Sequence, residues 1–402
     1  MQIPLPTSIR RRLIRPFASG PWRYVRRPEL LRRYTLVTPL RSGAETFPAM
    51  LDAIRAAKSS IHFEIYILRD DRVGEAFRDA LVERARAGVT VRFLYDAVGS
   101  ISLPDSFLEP LRAAGGRVAI YHPLALWRRK AGARWRLTLN KRDHKKILVV
   151  DDRVGFTGGI NIGLEYESKD AGGEGWLDWH ARVEGPAVFE LAVSFRRTWM
   201  SATDDVLPEA TLPGPALGRN VLGTQVVDNT GLRSRWRMHR AYLYAIAAAQ
   251  HDISILNAYF IPELNLRRAF RKAVARGVSV RVIVPSDSDV KPVRHASRYL
   301  YRQLIAGGVR IYEWPESMMH AKAGIIDGVW STIGSYNLDH RSLMHNLEVA
   351  LVCVDGPLAA TLQAEFEREI ARCQEITTAD LDALTRWERF QDWFWYQMRS
   401  QL

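Results

Sequence analysis

The chain has 402 residues, 47% of them hydrophobic, enough for two lobes of ordinary domain size with real cores. Its formal net charge of +13, carried by 48 Arg and 9 Lys, favours an anionic partner, phospholipid or nucleic acid. Only two cysteines, Cys353 and Cys373, speak against a disulfide framework or a cysteine metal cluster and fit a reducing cytoplasm, and no run approaches the ~18 apolar residues of a membrane span.

Met1–Pro16 is charged without a continuous apolar segment, which argues against a cleaved signal peptide. Between Arg10 and Arg33 a basic stretch is interleaved with Trp22, Tyr24, Leu30 and Leu31. Residues 1–44 therefore read as a basic arm, either on a membrane surface or lying loosely on the first lobe. Over 45–205 helix and strand signals alternate, the pattern of an α/β lobe. Ala56-Ala57-Lys58-Ser59-Ser60-Ile61 leads into Glu64-Ile65-Tyr66-Ile67, and Arg86-Ala87-Gly88-Val89-Thr90-Val91-Arg92 passes from helix to strand. Leu124–Arg142, with Trp127, Arg128, Arg129, Lys130, Arg134, Trp135, Arg136 and Lys141, reads as a basic loop. It suits anionic headgroups or nucleic acid, or is simply solvated.

Next come His144, Lys146 and Asp151 as H-x-K-x4-D, with His144 ahead of the apolar run Ile147–Val150, a buried strand by its composition. Residues i and i+2 of a strand share a face, so His144 and Lys146 point together. Thr157-Gly158-Gly159 permits close backbone approach, and Asn161 adds a neutral donor. A linker at 206–219, within the proline-rich stretch Thr203–Arg219, ends the lobe.

The second lobe, 220–375, repeats the first. Ala248-Ala249-Gln250-His251-Asp252-Ile253 leads into Asn257-Ala258-Tyr259-Phe260, and Ala275-Arg276-Gly277-Val278-Ser279-Val280-Arg281 follows. His320, Lys322 and Asp327 recur at a constant offset of 176 (320 − 144, 322 − 146, 327 − 151), and Gly334 and Asn337 keep that offset from Gly158 and Asn161. Ser335 joins the second set as a further donor. Upstream the offset is 192, from Gly115 to Gly307, so roughly sixteen extra residues of the first half fall in the basic loop. Two repeats of this size predict an α/β fold of two pseudo-twofold lobes, each a mixed sheet flanked by helices, sharing one active site between them.

Two imidazoles and two ammonium groups facing one another suit a phosphodiester. Lysine serves as a point charge on the non-bridging oxygens, one imidazole attacks phosphorus, and the other protonates the departing alcohol. With charge neutralised by Lys146, Lys322, Asn161, Asn337 and Ser335, no metal or other cofactor is called for. Asp151 and Asp327 stand seven residues beyond their histidines, too far along for strand alternation to keep them on the same face. Over 376–402, Thr377 and Asp380 form a capping box. Leu381, Leu384, Trp387, Phe390, Phe394 and Met398 follow at helical spacing, flanked by Trp393, Trp395 and Tyr396. Such an amphipathic helix either lies in a membrane interface or packs on a lobe.

The duplicated set resembles the phospholipase D superfamily, whose signature is H-x-K-x4-D followed by G-G/S-x-N. More narrowly the chain is similar to bacterial cardiolipin synthases of the shorter kind without membrane-spanning helices. The match runs through His144–Asp151, Phe156–Asn161, Trp176–His180, Glu184–Val188, Gly334–Asp339, Arg341-Ser342 and Asn346-Leu347-Glu348, and covers about residues 45–365. This resemblance implies a phosphatidyl transferase that joins two phosphatidylglycerols into cardiolipin and glycerol. His144 would form a covalent phosphohistidine, and His320 would act as acid and then as base. It implies too that Asp151 and Asp327 are mainly structural, and that carboxylates near Asp178 and Glu348 orient the imidazoles, with Glu165, Glu167 and Glu174 as neighbours of Asp178. His180 reads as a site neighbour, and the remaining histidines as surface or satisfied core. The alternatives are a hydrolytic phospholipase D, with water as acceptor, and a nuclease of the same superfamily. The expected partners are anionic phospholipids and the membrane surface, without nucleic acid, at the cytoplasmic face of the bacterial inner membrane.

Overall fold

The computed structural model describes residues 20–123, 140–231 and 234–402. Most of the basic loop and the start of the N-terminal arm lie outside the described residues. The first lobe runs β1 (Leu36–Arg41), α1 (Ser42–Ala56), β2 (Ser60–Ile65), α2 (Arg72–Arg86), β3 (Thr90–Asp96), α3 (Glu109–Ala113), β4 (Arg117–Tyr121), β5 (Ile147–Val150), β6 (Val154–Gly158), β7 (Trp179–Glu184) and α4 (Val188–Ala202). In the second lobe follow β8 (Gly223–Asp228), α5 (Arg237–Ala248), β9 (Asp252–Asn257), α6 (Leu264–Val274), β10 (Ser279–Pro285), α7 (Lys291–Ala306), β11 (Val309–Trp314), β12 (Lys322–Ile326), β13 (Trp330–Gly334), α8 (His340–Met344), β14 (Val349–Val354) and α9 (Gly356–Ile370). The short β15 (Gln374–Ile376), α10 (Thr378–Asp382) and α11 (Arg386–Gln397) close the chain.

The two sheets have one topology. The first is ordered β1-β7-β6-β5-β2-β3-β4, the second β8-β14-β13-β12-β9-β10-β11, with β15 added at its far edge. In each, three strands joined through helices are parallel, β2-β3-β4 and β9-β10-β11, and hairpin-linked strands continue antiparallel from them. The sheets face each other across an apolar layer drawn from both lobes, including Ile147, Val149, Trp179 and Val183 against Ala323, Ile325, Val349 and Leu351. Helices α4 and α9 complete that layer through Phe195, Trp199, Leu362 and Phe366. Each sheet's outer side carries a separate core under its own helices. Strands buried on both sides read as continuous apolar runs, which is why Ile147–Val150 and Ala323–Ile326 stood out in the sequence.

Three details differ from the sequence expectations. The 1–44 stretch holds β1, an edge strand paired along its length with β7. Its described portion before that strand packs on both lobes: Tyr24 and Val25 join the second lobe's core, Arg32 and Thr35 bridge to Thr224 and Val221, and Arg32 also pairs with Glu190 of the first lobe at 2.9 Å. The single C-terminal helix is two. The Thr377–Asp380 capping box starts only the five-residue α10, and a second box, Thr385 with Glu388, starts α11.

Among the buried departures from pseudo-symmetry is an ion pair. Lys145 and Glu64, both fully buried, lie 3.0 Å apart, and Lys145 also reaches Ser194 Oγ at 3.2 Å and Thr198 Oγ1 at 2.5 Å. Sheet register makes Leu256 the counterpart of Glu64, since Glu64 pairs with Ile147 and Leu256 with Ala323, while Lys145 corresponds to Ala321. The second lobe thus holds an apolar pair where the first holds charges. Breaking a buried pair strands one charge at a cost of about 3–5 kcal/mol, whereas replacing both partners is often close to neutral. Lys145→Ala and Glu64→Leu should each lower stability by about that amount, and the double variant should be more stable than either. Urea unfolding of the three variants checks this, and losses that simply add would contradict it.

Candidate active site

His144 lies just before β5, and His320 just before β12. Both lysines curl back on their own histidine: Lys146 Nζ donates to the His144 carbonyl at 2.8 Å, and Lys322 Nζ to the His320 carbonyl. Each histidine and lysine is nearly buried, with His144 at 6% and His320 at 4% exposure. A tyrosine walls each half. Tyr66 stands edge-on to His144 with ring centroids 4.8 Å apart and lies under Lys146; Tyr259 does the same at 6.2 Å for His320 and lies under Lys322. The cations of both halves act on one another, so the two motifs meet at one place.

What fixes each histidine comes from the opposite lobe. The backbone N–H of His144 donates to the carbonyl of Leu347 at 2.9 Å, and that of His320 to the carbonyl of Leu177 at 2.7 Å. The next residue in each case is a carboxylate. Glu348 Oε2 lies 3.0 Å from His144 Nδ1, and Asp178 Oδ2 lies 2.7 Å from His320 Nδ1. A carboxylate oxygen accepts, so Nδ1 carries the proton and Nε2 keeps its lone pair for chemistry. Glu348 is itself held by the Ser335 hydroxyl, by Asn346 Nδ2 at 3.3 Å and, through its backbone N–H, by Asn229 Oδ1 at 2.7 Å. Asp178 accepts from the Trp179 N–H at 2.7 Å.

Electrostatically the pocket is under cationic stress. Burial, and then the Lys322 ammonium, lowers Lys146 to about 7, and burial lowers Lys322 to about 8 against the nearby carboxylates. Burial likewise lowers His144 to about 4, and burial with both lysines holds His320 well below the usual imidazole range. Burial also pushes Asp178 up to about 7. A bound phosphate or phosphodiester opposes the lowering of the lysines and imidazoles, because its negative charge favours their protonated forms, and pushes Asp178 further up.

The other residues singled out in the sequence separate into groups. Asp151 and Asp327 lie at the far ends of their strands, at φ of 53° and 52°. Each carboxylate accepts three consecutive backbone N–H groups, of Lys58, Ser59 and Ser60 for the first and of Gln250, His251 and Asp252 for the second. They tie the helix-to-strand turn to the hairpin and stand away from the histidines. Asn161 accepts from Ile67 N–H and donates to Tyr166 Oη at 2.9 Å; Asn337 accepts from Tyr259 N–H at 3.3 Å. Ser335 is engaged with Glu348. The glycines admit neighbouring protein: a Cβ on Gly159 would lie 2.2 Å from Asp178 Oδ1, and one on Gly334 would meet Ala350. Glu165 pairs with Arg69, away from the imidazoles. His180 is buried in β7 and feels the charge of Lys146. His239 is buried as well, with neither ring nitrogen hydrogen-bonded, unlike the satisfied core expected of it.

Sequence reasoning gave no role to four side chains that line the site. Tyr66 and Tyr259 occupy matching places in the aligned repeat segments, which was the available signal. Tyr166 Oη, 3.3 Å from His320 Nδ1, and Trp176, whose ring is 5.9 Å from that of His320, have no counterpart in the second half to mark them.

Comparison with known proteins agrees with this geometry. The family described as "Cardiolipin synthase, PLD-like domain" matches residues 50–170 and 242–370. The chain is 36% identical over 341 residues to the probable cardiolipin synthase YwiE of Bacillus subtilis, covering 84% of this chain and 66% of that protein. It is 34% identical over 360 residues to a cardiolipin synthase of Halalkalibacterium halodurans, covering 89% and 68%. The chain therefore spans about two thirds of the length of these curated relatives. Among solved structures, the phosphatidylserine synthase of Haemophilus influenzae superposes with a TM-score of 0.68 at 14% identity, covering 95% of this chain and 98% of that one, a likeness of fold.

The lowered lysines make anion affinity depend on pH. Sulfate keeps its charge across the neutral and alkaline range, so any change reports the protein. Its affinity should be highest below pH about 7 and should weaken by roughly tenfold per pH unit once the lysines lose their protons. Calorimetric titration with sulfate across this range is the check. An affinity that stays flat through pH about 9 would contradict the lysine assignments.

Proposed function

The chain belongs to the phospholipase D-like cardiolipin synthase family, and on that premise we propose that it is a phosphatidyl transferase joining two phospholipids, two phosphatidylglycerols in the simplest case, into cardiolipin and glycerol. One observation carries this reading: two buried imidazoles, each oriented through Nδ1 by the other lobe's carboxylate, share a pocket with two lysines.

The steps follow from that arrangement. His144 Nε2 attacks the phosphorus of the donor, and the bond from phosphorus to the glycerol oxygen breaks. His320 delivers a proton to that oxygen, and glycerol leaves. The phosphatidyl group is now on His144 as a phosphoramidate. His320, left neutral, accepts the hydroxyl proton of the second phosphatidylglycerol as its oxygen attacks phosphorus, and the bond to His144 breaks. The enzyme is returned unchanged. Lys146 and Lys322 hold the non-bridging oxygens throughout, and Asn161, Asn337 and Ser335 support the walls from which they work. Substrate charge is also what raises His320 into a range where it can act as the acid, since it offsets the lysines that depress it.

Its substrates are confined to a bilayer, so the protein works at a membrane surface rich in anionic phospholipid. Among the described residues no helix is long and apolar enough to cross a membrane, which fits peripheral attachment. Cys353 and Cys373 are free thiols, in keeping with the cytoplasmic leaflet as the proposed side.

Mass spectrometry of lipids after incubation of the purified chain with phosphatidylglycerol vesicles tests the reading. Cardiolipin together with free glycerol is expected, and both should vanish in His144→Ala. Phosphatidic acid as the sole product would make it a hydrolase. Intact lipid beside cleaved single-stranded DNA would make it a nuclease.

A further inference from the structure

Helix α11 is aromatic on its outward side as well as where it meets the lobe. Inward, Trp395 and Tyr396 rest on the second lobe's core, Tyr396 stacked on Tyr299, beside a buried charge. Asp392, the helix's one buried residue, accepts a bidentate pair of bonds from Arg298 of α7 at 2.7 and 3.0 Å and lies 2.7 Å from His295 Nδ1. Glu388 turns the same way, 3.7 Å from Arg298. Its outward side is aromatic. Trp387, Phe390, Trp393, Phe394 and Met398 are all exposed, Trp387 at 64%. At 100° per residue these five side chains fall within an arc of about 140°. They also form one surface, since Phe390 contacts Trp387, Trp393 and Phe394 at centroid distances of 5.5, 5.8 and 6.3 Å.

Water is a poor neighbour for such a face, and its charge names the better one. Asp392 is committed to Arg298 and Glu388 is turned toward it, which leaves Arg386 and Arg389 as the helix's exposed cations. Indole and phenyl rings flanked by guanidinium groups match the boundary between acyl chains and anionic headgroups. The helix is also tied to the pocket. Gln401, just beyond it, accepts through its carbonyl from Arg341, which bonds Asn140 as well and whose charge acts on Tyr66 beside His144. Around Arg341 gather His340, His345, Arg235 and Lys141, near enough to perturb one another's charge.

We propose that the outward aromatic face of α11 docks on an anionic bilayer, with Arg386, Arg389 and Arg341 toward the headgroups, so that lipid reaches the histidine pair from the membrane side. The choice of a bilayer as occupant rests on the lipid-substrate reading above; the exposed face itself does not.

Trp387→Ser, Phe390→Ser and Trp393→Ser combined in the full chain leave the Asp392–Arg298 attachment in place. Co-sedimentation with vesicles of phosphatidylglycerol and phosphatidylcholine is measured at low salt and at about 0.5 M, where charge attraction is screened. Hydrolysis of bis(p-nitrophenyl) phosphate is measured alongside. High-salt vesicle binding should fall at least tenfold while hydrolysis of the soluble ester stays within twofold. A second pair of proteins guards against misfolding: brominated acyl chains should quench wild-type fluorescence more than that of Trp387→Phe/Trp393→Phe. Undiminished binding of the triple variant, or equal quenching of the second pair, overturns the proposal. So does a wild-type dimer that the triple variant converts to monomer with vesicle binding intact, which would make the face a contact between copies. Vesicle binding that depends on these residues without any new lipid product leaves the docking standing and removes the lipid-transfer reading instead.

Discussion

Each half of the pocket is built by the other half. The segment that carries His144 is bridged to Leu347-Glu348 and the segment that carries His320 to Leu177-Asp178, in both cases through a backbone hydrogen bond to the histidine and a carboxylate on its ring. Neither lobe alone can orient its own imidazole. The apolar layer between the sheets therefore has a chemical task as well as a structural one, because it sets the distance across which these reciprocal bonds form. It also offsets the cost of two lysines and two imidazoles held together with little water, a cluster that burial and mutual repulsion disfavour until an anion arrives.

Duplication makes the two halves alike, and a few substitutions make them unequal. Glutamate orients one histidine and aspartate the other; the longer side chain is steadied by Ser335, while the shorter one presses against Gly159, where no side chain would fit. Behind His144 lie Glu64, Asp96, Asp143, Arg142 and Lys145, all buried; behind His320 the matching strands offer Leu256, Met319 and Ala321. Tyr166 and Trp176 attend His320 alone. A reaction in which one imidazole attacks and the other shuttles a proton asks for two environments, and these differences supply them.

Much of this was legible in the chain. A constant spacing of histidine, lysine and aspartate survives duplication because strand geometry keeps the first two on one face, so the side chains that meet in the pocket could be read directly. The apolar runs of β5 and β12 gave the strands, and the alternation of elements gave the lobes. The structural placement of the two aspartates came from family resemblance and not from spacing. What periodicity could not convey is direction across space. Glu348 is 204 residues from the histidine it orients, and Asp178 is 142 from its own, so the crossing of partners between lobes left no local trace. Glycines beside the motif suggested close approach without saying of what, and the neighbour proved to be a protein strand and carboxylate. In α11 the aromatic stripe was evident, yet a stripe at helical spacing does not say which side faces the lobe. That was decided by Asp392 and its arginine, on an element almost a hundred residues away.

The account stands or falls on which atom takes the phosphatidyl group. His320→Ala incubated with phosphatidylglycerol bearing an activated leaving group, quenched and digested, should yield a peptide with the phosphatidyl group on His144, because attack no longer depends on the missing acid while turnover does. The double variant lacking both histidines should yield none. A modified His320 in the converse His144→Ala protein, or a modified residue outside the pair, would contradict the assignment of roles drawn from the family resemblance.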